Sequence, residues 1–168
     1  MNRSLLTLPI FVLFVSLTPP SFAEDKDPAN AEPKPEAEFK TPEEGDEEDS
    51  PVTARGRSRN IPAGFVLMIF QVIPENDFLF PAAPPFDPNR TFSETIHYRE
   101  DEQGPRSLEL YMLPEADAAL LNKWREAYLA HYIAKEKGED DAPPEPTYDP
   151  AWMHQAEGLT AVGFILED

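Results

Sequence analysis

The sequence predicts an α+β domain, a mostly antiparallel four-stranded sheet with one long helix packed on one face, in the order β-β-β-α-β with a short helix before the last strand. Residues 65–73 form an unbroken apolar run rich in strand formers. Residues 91–99 and 107–112 alternate apolar and polar side chains with the period of a strand, and residues 115–137 carry apolar side chains at helical spacing without glycine or proline.

In chain order, Arg3 precedes the apolar run Leu5 to Leu17, then Thr18, Pro19 and Pro20, then Ser21, Phe22 and Ala23, the three regions of an export signal. Cleavage is expected after Ala23. The run is too short for a stable membrane span, which needs about 20 apolar residues. Residues 24–60 read as a disordered acidic spacer. Phe39 and Val52 are its large apolar side chains, prolines recur at 28, 33, 35, 42 and 51, and acidic residues crowd Glu43 to Asp49. At its end Arg55, Arg57 and Arg59 form a basic cluster, read first as part of a solvated, charge-patterned linker, with folding back on the acidic run or a processing site for a trypsin-like protease as the alternatives. Residues 61–168 are then the folded domain.

Within that domain, residues 65–73 are expected as a strand covered on both faces, bounded by Gly64 and Pro74. Phe78, Phe80 and Phe86 lie among Pro81, Pro84, Pro85 and Pro88, the composition of an irregular or polyproline loop with aromatic anchors. The alternating runs read as a hairpin around residues 101–105. Matching their apolar faces sets Tyr98 opposite Leu108 and His97 opposite Glu109. Pro114 suits a helix start and Gly138 a helix end, and Leu120, Trp124 and Tyr128 share one broad sector of the helix with His131 and Tyr132. These, with Ile69 and Leu110 from the sheet, are the expected core. Asp149 and Pro150 open a short helix, and residues 159–166 close the chain as a strand beside the first one, with Gly163 marking a close approach.

Composition narrows the function. With 32 acidic and 14 basic residues the formal charge is -18, which opposes phosphate neutralisation and excludes nucleic acid as a natural partner. The same sign disfavours an anionic membrane surface and favours a basic protein. Cysteine is absent, which removes disulfides, thiolate metal sites and thiol nucleophiles, and fits a bacterial periplasmic or secreted protein better than a disulfide-rich eukaryotic one. No phosphate-binding, dinucleotide, zinc-protease or nucleophile-elbow motif occurs, so no cofactor is expected. The facing pair His97 and Glu109 is the one local acid–base constellation, although such cross-strand pairs more commonly stabilise a surface. Asp140, Asp141 and Glu145 supply oxygen ligands without the spacing or the central glycine of a calcium loop. The leading expectation is a non-catalytic exported protein-interaction module that binds through its sheet or through Phe78, Phe80 and Phe86. A small envelope hydrolase or metal-dependent enzyme is one alternative, and a protease inhibitor or chaperone-like protein is another.

Overall fold

A computed structural model of the chain describes residues 33–73, 78–99, 102–139 and 141–167. The expected export segment and residues 24–32 lie outside them. The fold is α+β, with one long helix and two sheets where a single four-stranded sheet was expected. Strands β1 (Glu36–Thr41), β3 (Val52–Arg59) and β6 (Thr91–Ile96) form an antiparallel sheet in the order β1-β3-β6. The second sheet runs β2-β8-β7-β4-β5, from β2 (Glu47–Glu48), β4 (Phe65–Ile73), β5 (Phe78–Pro81), β7 (Gly104–Pro114) and β8 (Glu157–Leu166). Among the described residues only the short β2–β8 pairing is parallel.

Strand β4 explains the layering. Leu67 and Ile69 point to one side and Met68 and Phe70 to the other, and all four are fully buried, so both faces need a cover. On the first side they join Leu108, Leu110, Val162 and Phe164 against Val52, Ala54, Phe92 and Ile96 of the three-stranded sheet. On the second side Met68, Phe70 and Leu113 pack on Ala118 and Leu121 of helix α1 (Glu115–Glu136). The helix ends as its composition predicts, with Gly138 at φ 68. Of the expected core, Ile69, Leu110 and Trp124 are buried and Tyr128 is half-buried, but Leu120 is 46% exposed because it falls at the solvent edge of the broad helical sector.

Four expectations are corrected. Residues 36–59, assigned to a disordered spacer, contain β1, β2 and β3. In β3, Val52, Ala54, Gly56 and Ser58 face inward, a period-2 pattern written in small side chains that a search for large apolar ones passes over. The smallness is required: a Cβ on Gly56 would lie 2.4 Å from Phe92 Cζ and 2.2 Å from the Glu38 carbonyl. Phe92 fills that space and meets Phe86 at 5.1 Å and Phe39 at 6.0 Å between ring centroids. Outward, Arg57 pairs with Glu38 at 2.8 Å and Arg59 with Glu36 across the β1–β3 ladder, partners that precede the acidic run Glu43 to Asp49.

The second correction is the hairpin. β6 pairs with β3 and β7 with β4 and β8, so the two alternating runs face one core from different sheets, and His97 has no partner in Glu109, which stands opposite Phe70 and Ala161. Third, β8 lies beside β7, and it is β7 that separates it from β4. Gly163 does mark a close approach: its N–H donates to Glu44 Oε2 at 2.9 Å and its carbonyl accepts from Gly45 N–H at 2.8 Å. Fourth, the short helix is a single 3-10 turn, Pro150–Met153, capped by Asp149 Oδ1 on Ala151 N–H, and Phe78–Pro81 is the edge strand β5 rather than loop.

Two measurements follow. Limited trypsin digestion leaves Arg55, Arg57 and Arg59 uncut in the folded protein, because β3 is the central strand of its sheet; prompt release of fragments beginning at Gly56 or Ser58 would contradict the fold. Gly56→Ala lowers unfolding free energy by about 1 to 3 kcal/mol through overpacking, read from denaturant midpoints, whereas Gly45→Ala, with no atom within 4 Å of the added carbon, bears only its φ of 84°.

Candidate functional site

From its middle onward, helix α1 presents aromatic rings at every fourth position. Trp124 and Tyr128 stack at 5.3 Å with 30° between planes, and Tyr128 and Tyr132 at 6.5 Å with 13°. This is what i, i+4 spacing does on a helix, since residues so spaced lie one above the other. Edge strand β5 adds Phe80, 5.7 Å from Trp124 and 5.3 Å from Tyr128, and Phe78, 6.2 Å from Trp124. Arg125 ties strand to helix, donating from Nε to Pro81 O at 2.9 Å and from Nη2 to Ala82 O at 3.2 Å.

The rings form the floor and one wall of an open groove of about 1040 Å³, at the upper end of the usual range for ligand sites of about 300 to 1,000 Å³. A second wall is residues 145–148. Trp124 Nε1–H donates to Pro146 O at 3.3 Å, and Tyr148 packs on Trp124 at 5.2 Å and on Phe78 at 5.2 Å. About two turns along the helix from Trp124, His131 Nδ1 meets Pro143 O at 2.5 Å; a carbonyl only accepts, so this nitrogen carries the proton.

The remaining end is polar, with His97, Tyr98, Arg99, Glu102 and Arg106. The Arg99 guanidinium lies 5.2 Å from the Tyr132 ring centre, a cation–π distance. Ser50 clamps Tyr98: its Oγ accepts from Tyr98 N–H at 3.1 Å and donates to Tyr98 O at 3.2 Å. The Tyr98 ring sits in the inter-sheet core against Phe164, and the residue is only 9% exposed. Its hydroxyl is buried and has no hydrogen-bond partner among the described residues. Burial pushes its pKa well up, with Arg106 pulling it down and Glu102 adding to the rise.

The structure brings some of the sequence-predicted residues together and separates others. Phe78, Phe80, Trp124 and Tyr128 line the groove, with His97 at its polar end and Glu145 in its wall. Phe86 does not: it is 8% exposed, exchanges backbone hydrogen bonds with Leu67 at 2.9 and 3.1 Å, and belongs to the inter-sheet core. With Pro81 and Ala83 also buried, the segment 81–86 is packed against the domain. Glu109 lies on the helix side of the large sheet, where its Oε2 accepts from Tyr111 Oη–H at 2.8 Å. Asp141 is exposed, Asp140 lies outside the described residues, and no group of three or more potential metal ligands occurs among those described. Sequence reasoning missed Tyr98, Arg99, Arg106 and Tyr148 as groove residues. Tyr132 was legible as part of the helical aromatic repeat, while the others come together only through the crossing from one sheet to the other. No described helix is long and apolar enough to cross a membrane.

The Glu109–Tyr111 pair is a measurable feature of the sheet next to this site. Burial, then the hydrogen bond to the Glu109 carboxylate and its charge, pushes the Tyr111 hydroxyl up to about 12. A phenol whose folded pKa lies above its unfolded value of about 10 contributes stability that is whole below pH 10 and lost as pH rises through the folded value. Alkaline titration followed by tyrosinate absorbance therefore shows a high-pKa phenol that returns toward the ordinary value in Glu109→Gln; an unchanged curve would remove the pair. Compared with protein-family models and with curated proteins, the chain matches none.

Proposed function

We propose that this chain is a non-catalytic protein-interaction module of an exported bacterial protein, and that it takes an extended segment of its partner into the aromatic groove. The observation that carries the reading is the ladder Trp124, Tyr128, Tyr132, walled by Phe78, Phe80 and Tyr148. Aromatic side chains supply large contact areas with few rotatable bonds, so little entropy is lost when a partner settles on them. Several are already braced edge to face, which supports a site formed before binding. Export is supported by the order of charged, apolar and small residues in Met1 to Ala23, and a bacterial envelope location by the absence of cysteine.

The test is covalent capture in the native envelope. A photoreactive residue replacing Leu129, which lines the groove, gives a discrete heavier adduct on illumination, whereas the same residue replacing the exposed Ile165 of β8 does not. Equal labelling from both positions, or none from Leu129, would overturn the groove as the interaction surface.

A further inference from the structure

The three-stranded sheet ends in β6, which pairs with β3 on one side and, among the described residues, with no strand on the other. Backbone direction identifies the free groups. Arg90 O accepts from Ser58 N–H at 3.0 Å, and at the far end Tyr98 bonds Ser50 Oγ through both its N–H and its carbonyl, so the even-numbered residues bond toward β3. Antiparallel bonding alternates, so Thr91, Ser93 and Thr95 turn their N–H and C=O groups outward along the edge. All three residues are exposed. Such a row is a template for another strand.

The even-numbered side chains point the other way, into the inter-sheet core. Phe92 and Ile96 are buried there, yet Glu94 between them carries a carboxylate and stands opposite Ala54, which is fully buried. Glu94 itself is half-buried. A charged residue on the inward row is one of the devices by which sheets keep an edge unpaired, because a strand added alongside would close its way to water. Burial pushes the Glu94 carboxyl above its usual range while Arg90 pulls it down, and Arg90 is itself paired with Asp87 at 3.4 Å. Around it, Val52, Ala54 and Gly56 of β3, the segment 82–86 and Leu108 and Leu110 of the facing sheet carry no titratable side chain. Tyr98 lies further along the same row, with Arg106 and Glu102 acting on it, and burial pushes its hydroxyl well up. Arg55 and Arg57 belong to the outer face.

We infer that β6 is a pairing edge for a second copy of this chain, and that the Glu94 carboxylate keeps the two copies apart until it is neutralised. The occupant follows from the register. Facing residues of an antiparallel pair share one side of the sheet, so a twofold axis between two copies of β6 must pass through a residue. An axis through Glu94 sets Phe92 of each copy against Ile96 of the other, an aromatic and β-branched pair, and Ser93 against Thr95, a hydroxyl pair. Both pairings are favoured across strands. Moving the axis to Ser93 or Thr95 instead sets Glu94 against Phe92 or against Ile96. In the aligned register the two Glu94 carboxylates meet at a non-hydrogen-bonded position, where facing Cα atoms lie about 4.5 Å apart. Like charges there oppose pairing, and one proton held between them removes the opposition. The paired state binds that proton more firmly than the single chain does, so association strengthens as pH falls and is lost as pH rises.

Sedimentation of the purified chain at about pH 7 and about pH 5, on either side of proton uptake by such a carboxyl, tests this. The wild type is monomeric at the first and dimeric at the second. Glu94→Gln is dimeric at both, with a dissociation constant at the higher pH roughly tenfold or more below that of the wild type. Glu47→Gln, which removes an equal charge from the exposed surface, behaves as the wild type, and His97→Gln keeps the pH dependence. Ser93→Pro removes an edge donor that the fold does not use and returns Glu94→Gln to monomer. Because the chain contains no cysteine, Glu94→Cys reports the register: mild oxidation joins two copies, whereas the exposed Ile165→Cys stays single. A Glu94→Gln protein that melts like the wild type yet associates no more at the higher pH overturns the inference, as does an acid dimer that survives Ser93→Pro. If Glu94→Gln does not fold, the wild-type pH series with and without Ser93→Pro decides the matter.

Discussion

The molecule is organised by one strand that cannot face water on either side. β4 buries Leu67, Met68, Ile69 and Phe70 in succession, and β7 beside it with β8 beyond adds Leu108, Leu110, Val162 and Phe164 to the face shared with the small sheet. Each such side chain is worth about 1.5 to 3 kcal/mol on burial. Uncovering that face would therefore forfeit of the order of 10 kcal/mol, comparable with the whole stability of a small domain, about 5 to 15 kcal/mol. The three-stranded sheet is thus an obligatory cover. Residues 36–59 are ordered by the surface beneath them, although their own composition is polar and acidic.

The same constraint places the groove. Only the first half of α1 is needed over Met68, Phe70 and Leu113, through Ala118 and Leu121. Beyond that the helix runs out over edge strand β5, where Arg125 fixes it to the carbonyls of Pro81 and Ala82. Its aromatic residues there meet a thin edge and a proline segment instead of a second layer of core, so that Trp124 is buried while Tyr128 and Tyr132 remain half-buried. The polar end arises separately, between β6 of one sheet and β7 of the other, where His97, Tyr98, Arg99, Glu102 and Arg106 line the groove. A fold that must cross between layers at that point delivers charged residues to the side of an aromatic surface.

The division between what the sequence disclosed and what it hid follows from the range of the forces involved. Periodicity is local, so β4, the inward faces of β6 and β7, the helix and its glycine stop were all legible. Partner choice is not local. Phe92, Ile96 and Tyr98 do share a core with Leu108, Leu110 and Met112, but matched apolar faces are as compatible with two sheets meeting across a core as with two strands lying side by side. The nearest partner in sequence was the wrong one because β3, the true neighbour of β6, writes its inward face as valine, alanine, glycine and serine. For the site, Phe78, Phe80, Trp124 and Tyr128 were visible as aromatic residues at telling spacings. Tyr98 and Arg106 were not, since their meaning depends on a hydroxyl left unpaired by distant packing.

That hidden part bears on how the overall charge should be read. A formal charge of -18 favours a basic partner at long range, yet the groove's polar end sets Arg99 and Arg106 beside Glu102 and Glu145. The two statements refer to different distances. At physiological ionic strength the field of exposed charges fades over about 8 Å, so the acidic surface acts on the body of an approaching protein while the groove's own charged side chains act only on the atoms that enter it. Long-range attraction would then set the rate of encounter and the groove would set the register, a separation of tasks that a uniformly charged surface does not provide.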